Sequence, residues 1–298
     1  MAKQPRSLTG KVAVVTGGGR GIGRAITEAL VREGARVAIG DVDRAAAERT
    51  ASEIGDAVLG LGLDVTDLTG FTAFLDDVEQ RLGPIDILVN NAGIMPVTAL
   101  VDESSASIAR QLEINVRAVI HGTQEAMRRM RPRGTGHIVN IASLAGKSGY
   151  PHLATYSATK HAVVGLSEAV RFELRGSGVE VSCVMPAVVD TELTAGFKDS
   201  RVKNLKPEQV AAEVVSALKV PRFDVFVPRS TGALLKIAAL LPRSGREGMA
   251  RLLKADTVAS SADASKRLAY EARAAASAPA AETHAGGEPA PEPERSAA

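Results

Sequence analysis

In the stretch YSATK, Tyr156 and Lys160 stand four residues apart. Residues at that spacing share one face of a helix, so both side chains can point into the same cleft. A phenol has an ordinary pKa of about 10, too high for a base at neutral pH. A neighbouring ammonium favours the phenolate and would lower that value. The pair is therefore a candidate for proton transfer. The same pattern occurs by chance in many helices, so its meaning depends on what else the chain carries.

A second stretch, TGGGRGIG, follows a β-branched run and precedes a helical one. A strand that opens into a helix through glycines makes a phosphate cradle, because glycine allows a tight turn and the helix N-terminus attracts negative charge. The spacing is not G-x-G-x-x-G, since Ile22 occupies the third glycine position. It is G-x-x-x-G-x-G, through Gly17, Gly21 and Gly23. Asp41 ends the next apolar run, 18 residues after Gly23. An acid near that offset can accept hydrogen bonds from adenosine ribose hydroxyls and would repel a 2′-phosphate. Arg20, inside the loop, pulls the other way, as a guanidinium could meet that phosphate. The balance favours NAD over NADP. Asp64, ending a third run, reads either as a turn residue or as an adenine contact.

The elements that must hold these residues follow from the apolar pattern. KVAVVTG, RVAIGD, AVLGLGLD, IDILVNN, HIVNIAS, VEVSCVMP and FDVFVP read as strands, apolar on both faces as buried parallel strands are. Helical stretches lie between them near 22–33, 44–54, 68–82, 104–131, 153–175 and 207–218. Alternation of this kind predicts βαβ units and an α/β fold, a doubly wound, mostly parallel sheet of Rossmann type.

Taken together, TGGGRGIG, NNAG (Asn90, Asn91, Ala92, Gly93), Asn115, Ser143 and YSATK resemble the short-chain dehydrogenase/reductase family, in that order along 8–227. The resemblance implies that Tyr156 is the general acid/base and that Lys160 lowers its pKa and holds the nicotinamide ribose. It implies that Ser143 orients the substrate oxygen and that Asn115 helps hold a water in the proton relay. Cofactor contacts are implied for Gly17, Arg20, Gly21, Ile22, Gly23, Asp41, Asp64, Val65, Asn91, Ala92 and Gly93, and for Tyr156, Lys160, Pro186, Val189 and Thr191. The family usually has Pro-Gly where this chain has Pro186-Ala187, so an added methyl stands near the nicotinamide. The implied activity is hydride transfer between NAD(H) and an alcohol or carbonyl compound, in a homodimer or homotetramer. Val163, Val164, Leu166 and Val170 exceed what one core face needs, which points to such an interface. Two other readings stand beside it: the same chemistry with NADP(H), and a non-catalytic dinucleotide-binding regulator, which would have no use for Ser143, Tyr156 and Lys160.

Bulk properties narrow the classes. The 298 residues suffice for one large domain. A net charge of +2, no Trp and 3% aromatic residues give neither a global field nor stacking platforms for nucleic acid. One cysteine, Cys183, in an apolar run, excludes an internal disulfide and suits a reducing, cytoplasmic setting. No apolar run is long enough for a spanning helix. The histidines, His121, His137, His152, His161 and His284, lack metal-ligand spacing, so no metal is expected; His152, between Ser143 and Tyr156, is a candidate substrate contact. Ser143 lacks a G-x-S-x-G elbow, which speaks against an esterase.

The catalytic domain is expected over 8–228. Residues 229–273 form a basic amphipathic extension: between Pro228 and Lys254 six basic residues face one acid, with leucines interleaved and a break at Pro242. Such a segment suits either a cover over the cleft or peripheral contact with anionic lipid, and both suit a bulky lipophilic substrate. Residues 274–298, rich in Ala, Pro, Glu and Gly, are expected to be disordered.

Overall fold

The computed structural model describes residues 4–197, 204–252, 259–260 and 262–276. Its centre is a seven-stranded sheet in the order β3-β2-β1-β4-β5-β6-β7, parallel throughout. The strands are β1 (Val12–Thr16), β2 (Arg36–Asp41), β3 (Val58–Gly62), β4 (Ile87–Asn90), β5 (Gly136–Ile141), β6 (Val179–Pro186) and β7 (Asp224–Val227). The strand order reverses direction between β1 and β4, which leaves a crevice beyond their carboxyl ends.

Alternate residues of β1 feed two cores. Ala13 and Val15 pack with α1 (Gly21–Arg32), α2 (Arg44–Ile54) and α7 (Pro207–Lys219). Val12 and Val14 pack with α3 (Leu68–Leu82), α5 (Ala118–Met130) and the far end of α6 (Ala154–Glu173). Period-2 alternation between two apolar faces is what a sheet covered on both sides demands. Asp43, Asp67 and Ser104 cap α2, α3 and α4 (Ser105–Leu112) through their side chains.

The long helix expected over 104–131 is interrupted. A π-helical turn, Glu113–Arg117, joins α4 to α5 and carries Asn115. Such bulges add one residue to the turn and gather at functional sites.

Three of the four α6 residues that the sequence assigned to an interface serve the protomer instead, and the fourth, Leu166, is half-buried. Val163, Val164 and Val170 are buried in the protomer's own core, because α6 lies in the same layer as α5. The outer face of α6 carries Ala158, Ala162, Gly165 and Ala169 instead.

The extension holds α8 (Ser230–Ala239), α9 (Arg243–Leu252) and α10 (Ala264–Ala276), with the first two separated around Pro242. Ala274, where the composition placed the start of the tail, is buried in α10. The rest of that segment, 277–298, lies outside the described residues, as do Lys254 and the side chains of Lys236 and Arg246. Among the described residues no helix is long and apolar enough to cross a membrane.

One buried side chain of the sheet makes stability depend on acid. His137 of β5 is 4% exposed, its Nε2 lies 2.8 Å from Ser182 Oγ, and its Nδ1 has no hydrogen-bond partner. Burial, aided by Arg6, pushes its pKa down to about 3. The unfolded chain takes up a proton near pH 6.5 while the folded chain does not, so the contribution is present above 6.5 and lost as pH falls towards 3. Each pH unit in that window is worth roughly 1.4 kcal/mol. Urea midpoints at pH 7.5, 6 and 5 should show His137→Gln with a shallower acid slope than the parent by about that amount per unit. Parallel slopes would place the acid sensitivity elsewhere.

Candidate active site

The carboxyl ends of β1, β2, β4, β5 and β6 surround a cavity of about 1330 Å³. That is more than one drug-sized ligand requires, and leaves room for a dinucleotide with a second molecule.

At one end stands the phosphate loop. Gly17 and Gly21 adopt left-handed φ angles of 64° and 53°, where a side chain is strained. A Cβ at Gly23 would collide with the Gly17 carbonyl, so this glycine closes the turn from inside and does not line the cavity. Asn91 locks the loop from the neighbouring strand: its Nδ2 donates to the carbonyls of Thr16 (2.9 Å) and Gly17 (3.1 Å). Helix α1 begins here with no side-chain cap and no acid in its first turn. Its first amides thus remain donors at the positive end of the helix dipole, a fit for pyrophosphate. The glycine cradle, these amides and the cavity-lining acid at the end of β2 fit a nicotinamide dinucleotide.

Asp41 is buried at the end of β2. Its Oδ2 accepts from Gly19 N (3.0 Å) and its Oδ1 from Asp43 N (3.1 Å). Arg20 also lines the cavity, but it is engaged by acids. Its guanidinium lies 2.6 Å from Asp43 and 3.5 Å from Glu192. Burial acts to lower the Arg20 pKa, yet Asp41, Glu192 and Asp43 hold it above its ordinary value. Glu192 in turn meets Arg273 of α10 at 2.5 Å. Around Arg20 three acids, Asp41, Asp43 and Glu192, face two bases, Arg20 and Arg273. Asp64 is a turn residue, its Oδ1 accepting from Thr66 N (2.9 Å) and Thr66 Oγ1 (2.7 Å), and it also lines the cavity.

At the other end lie Ser143, Tyr156 and Lys160. Ser143 sits at the end of β5, where its Oγ accepts from Ala145 N (3.1 Å). Lys160 is buried one turn along α6 from Tyr156, with Nζ 5.6 Å from the tyrosine ring centroid and donating to the Ile141 carbonyl (2.9 Å). The titration differs from the sequence expectation. Burial pushes the Tyr156 phenol up to about 12, against the pull of a hydrogen bond from Ser143, and burial brings the Lys160 ammonium down to about 8. Both groups lean toward their neutral forms, because desolvation is the largest cause for each.

Asn115 is fully buried and outside the cavity lining. Its Oδ1 accepts from Ile94 N (2.9 Å), while its Nδ2 donates to Ile94 O (2.8 Å) and Thr159 Oγ1 (3.2 Å). It fastens the segment after β4 to α6. A Cβ on Gly93 would press against Asn115 Oδ1 and stand near Lys160 Nζ, so a side chain there would crowd the cluster.

The remaining candidates, Ile22, Val65, Ala92, Pro186, Val189 and Thr191, also line the cavity. Thr191 opens a short 3-10 turn, Glu192–Thr194, whose start abuts Gly21. Ala187, in place of the usual glycine, lines the cavity and packs on the core. His152 does not line it; Tyr150 and Leu153 do. Cys183 is a buried thiol, pushed up to about 12 by desolvation. Among the described residues no group of His, Cys, Asp and Glu could hold a metal ion.

The outer wall was anticipated only in part, as a cover from the extension. Met95, Leu193 and Phe197 from the loops, Leu234, Leu235 and Ala238 from α8, and Tyr270 from α10 face the cavity. Ile237 of α8 and Leu240, just past its end, face outward. The leucine spacing of α8 was visible in the sequence, but α10, largely alanine and charge, carried no such pattern.

Comparison with known proteins places these features. The profile of the short chain dehydrogenase family matches residues 11–201. A sorbitol dehydrogenase of Cereibacter sphaeroides is 42% identical over 214 residues, 70% of this chain and 84% of that protein. A 3-alpha-(or 20-beta)-hydroxysteroid dehydrogenase of Mycobacterium bovis is 37% identical over 187 residues, 63% of this chain and 72% of its own. A short chain dehydrogenase/reductase from Burkholderia phymatum, solved in complex with NAD, superposes with a TM-score of 0.73 at 29% identity, covering 78% of this chain and 94% of that one.

Proposed function

The chain belongs to the short-chain dehydrogenase family, and from that premise we propose that it is an NAD(H)-dependent oxidoreductase acting on a bulky, apolar alcohol or its carbonyl counterpart. Members of the family bind small-molecule substrates and typically oligomerise. The observation that carries the proposal is the convergence of Ser143, Tyr156 and Lys160 on a cavity whose outer wall is apolar and whose far end is acidic.

Bound nicotinamide supplies the hydride acceptor or donor, and its oxidised ring is cationic. The chain's residues handle the oxygen and its proton. Ser143 donates to the substrate oxygen. Tyr156 takes the hydroxyl proton in oxidation and returns it in reduction. A cation beside a desolvated phenol favours phenolate strongly, since the same low dielectric that raises the pKa of Tyr156 amplifies the attraction. Lys160, its ammonium brought down to about 8 by burial, is poised to pass that proton on.

The relatives differ in substrate, a polyol in one and a steroid in the other. A polyol requires a hydrogen-bond partner for each hydroxyl, and leaving such groups unpaired is costly. Met95, Leu153, Leu193, Phe197, Leu235 and Ala238 offer surface rather than partners, which favours the apolar class. The test is a panel of secondary alcohols graded in apolar size, with a polyol and a hydroxysteroid, run with NAD and NADP. We expect kcat/KM to rise with apolar size, by roughly 10-fold or more for each well-buried methylene or two, and NAD to be preferred. A preference for sorbitol, or for NADP, would overturn the corresponding half.

A further inference from the structure

Arg267 of α10 is 3% exposed, yet it does not face the cavity. Its Nη2 donates to the Met95 carbonyl (2.8 Å), and its Nη1 to the carbonyls of Leu193 (2.8 Å) and Ala195 (3.2 Å). The guanidinium lies over the rings of Tyr270 (5.0 Å) and Phe197 (5.5 Å), with Glu271 as its ion-pair partner at 2.9 Å. Tyr270 Oη accepts from Met95 N at 2.6 Å. Both main-chain groups of Met95 are therefore satisfied by α10. Met95 follows β4, whereas Leu193 and Ala195 follow β6, so one planar fork ties together two loops. Met95 belongs to the same apolar cluster as Tyr156, and Leu193 and Phe197 pack against it. A buried guanidinium is tolerated only where its donors are met. Here they are met by the two loops that face the catalytic tyrosine.

We propose that Arg267 is a positioning residue for the substrate chamber, and that Tyr270 is its specificity-determining wall, so that the C-terminal helix sets which apolar bodies fit against Tyr156. This rests on the apolar-substrate reading above. The arrangement makes two separable demands. Loss of the fork should loosen both loops, and it should weaken large substrates more than small ones.

Full-length Arg267→Met, Arg267→Lys and Tyr270→Phe test it, with amide hydrogen exchange followed in peptides covering 94–97 and 191–197. Arg267→Met should raise exchange in both segments by about tenfold or more, the effect of losing hydrogen bonds to a charged group. KM for a hydroxysteroid should rise by a similar factor, while KM and kcat for the smallest active secondary alcohol stay within about twofold. Arg267→Lys should recover part of the protection. Tyr270→Phe should raise exchange at 94–97 alone. Unchanged exchange in both segments would overturn the positioning role, and equal KM shifts for large and small substrates would overturn the specificity role. If Arg267→Met loses its cooperative melt, the other two variants decide by the same criteria. A parent enzyme that turns over no apolar alcohol would sink the functional reading, while the exchange pattern would still judge the clamp.

Discussion

Tyr156→Phe is expected to lower kcat by at least about 10²-fold, the lower end for loss of a general acid/base, with dinucleotide affinity changed less than about threefold. The ring sits among Met95, Ala145 and Leu153, and phenylalanine keeps that packing. Ser143 Oγ retains its bond from Ala145 N, so the neighbouring turn should hold. What disappears is a single oxygen and its proton. Because that proton leaves only with difficulty from the free protein, the parent should show oxidation rates that climb with pH, and the variant should lose the climb along with the rate. Turnover within a few-fold of the parent would mean that the proton passes elsewhere, and the mechanism would fail.

The second large effect concerns the choice of dinucleotide. Asp41→Ser should move the ratio of kcat/KM for NAD over NADP towards NADP by about 10²-fold. Two unit charges 4 Å apart at an effective dielectric of 20 interact by about 4 kcal/mol, and partial solvation of a 2′-phosphate reduces that. Serine can keep one of the two amide contacts, from Gly19 or Asp43, so the loop should survive. Complete reversal is not expected, since Asp43 and Glu192 still hold Arg20. Steady-state kinetics with both dinucleotides check this. A ratio unchanged within threefold, or a parent that already prefers NADP, would remove Asp41 from the discrimination.

Much of the molecule was legible in advance because its signals were local. Strands such as VAVVT and HIVNI are apolar on both faces, and only a sheet covered twice can bury them. Glycines before a helix, and Tyr156 with Lys160 on one helical face, carry their geometry within a few residues. What escaped depended on long-range demand. Hydropathy on α10 would turn Leu268 inward and Arg267 outward, whereas Leu268 is 68% exposed and Arg267 is buried. The inversion arises because carbonyls of Met95, Leu193 and Ala195 require donors, and nothing near them in the chain states that requirement. The tyrosine's titration was misjudged for a related reason. The spacing of Tyr156 and Lys160 announces an attraction, but only the fold reveals how completely both are removed from water.

The π-helical turn at Glu113–Arg117 amounts to a phase slip in an otherwise continuous rod. An α-helix turns about 100° per residue, so one extra residue rotates everything downstream by about that angle. Before the slip, α4 leans on α6; after it, α5 lies on β4, β5 and α3. A rod of constant phase would present one stripe to one neighbour. This one serves two neighbours with a single backbone, and Asn115 stands at the joint where the stripe changes sides.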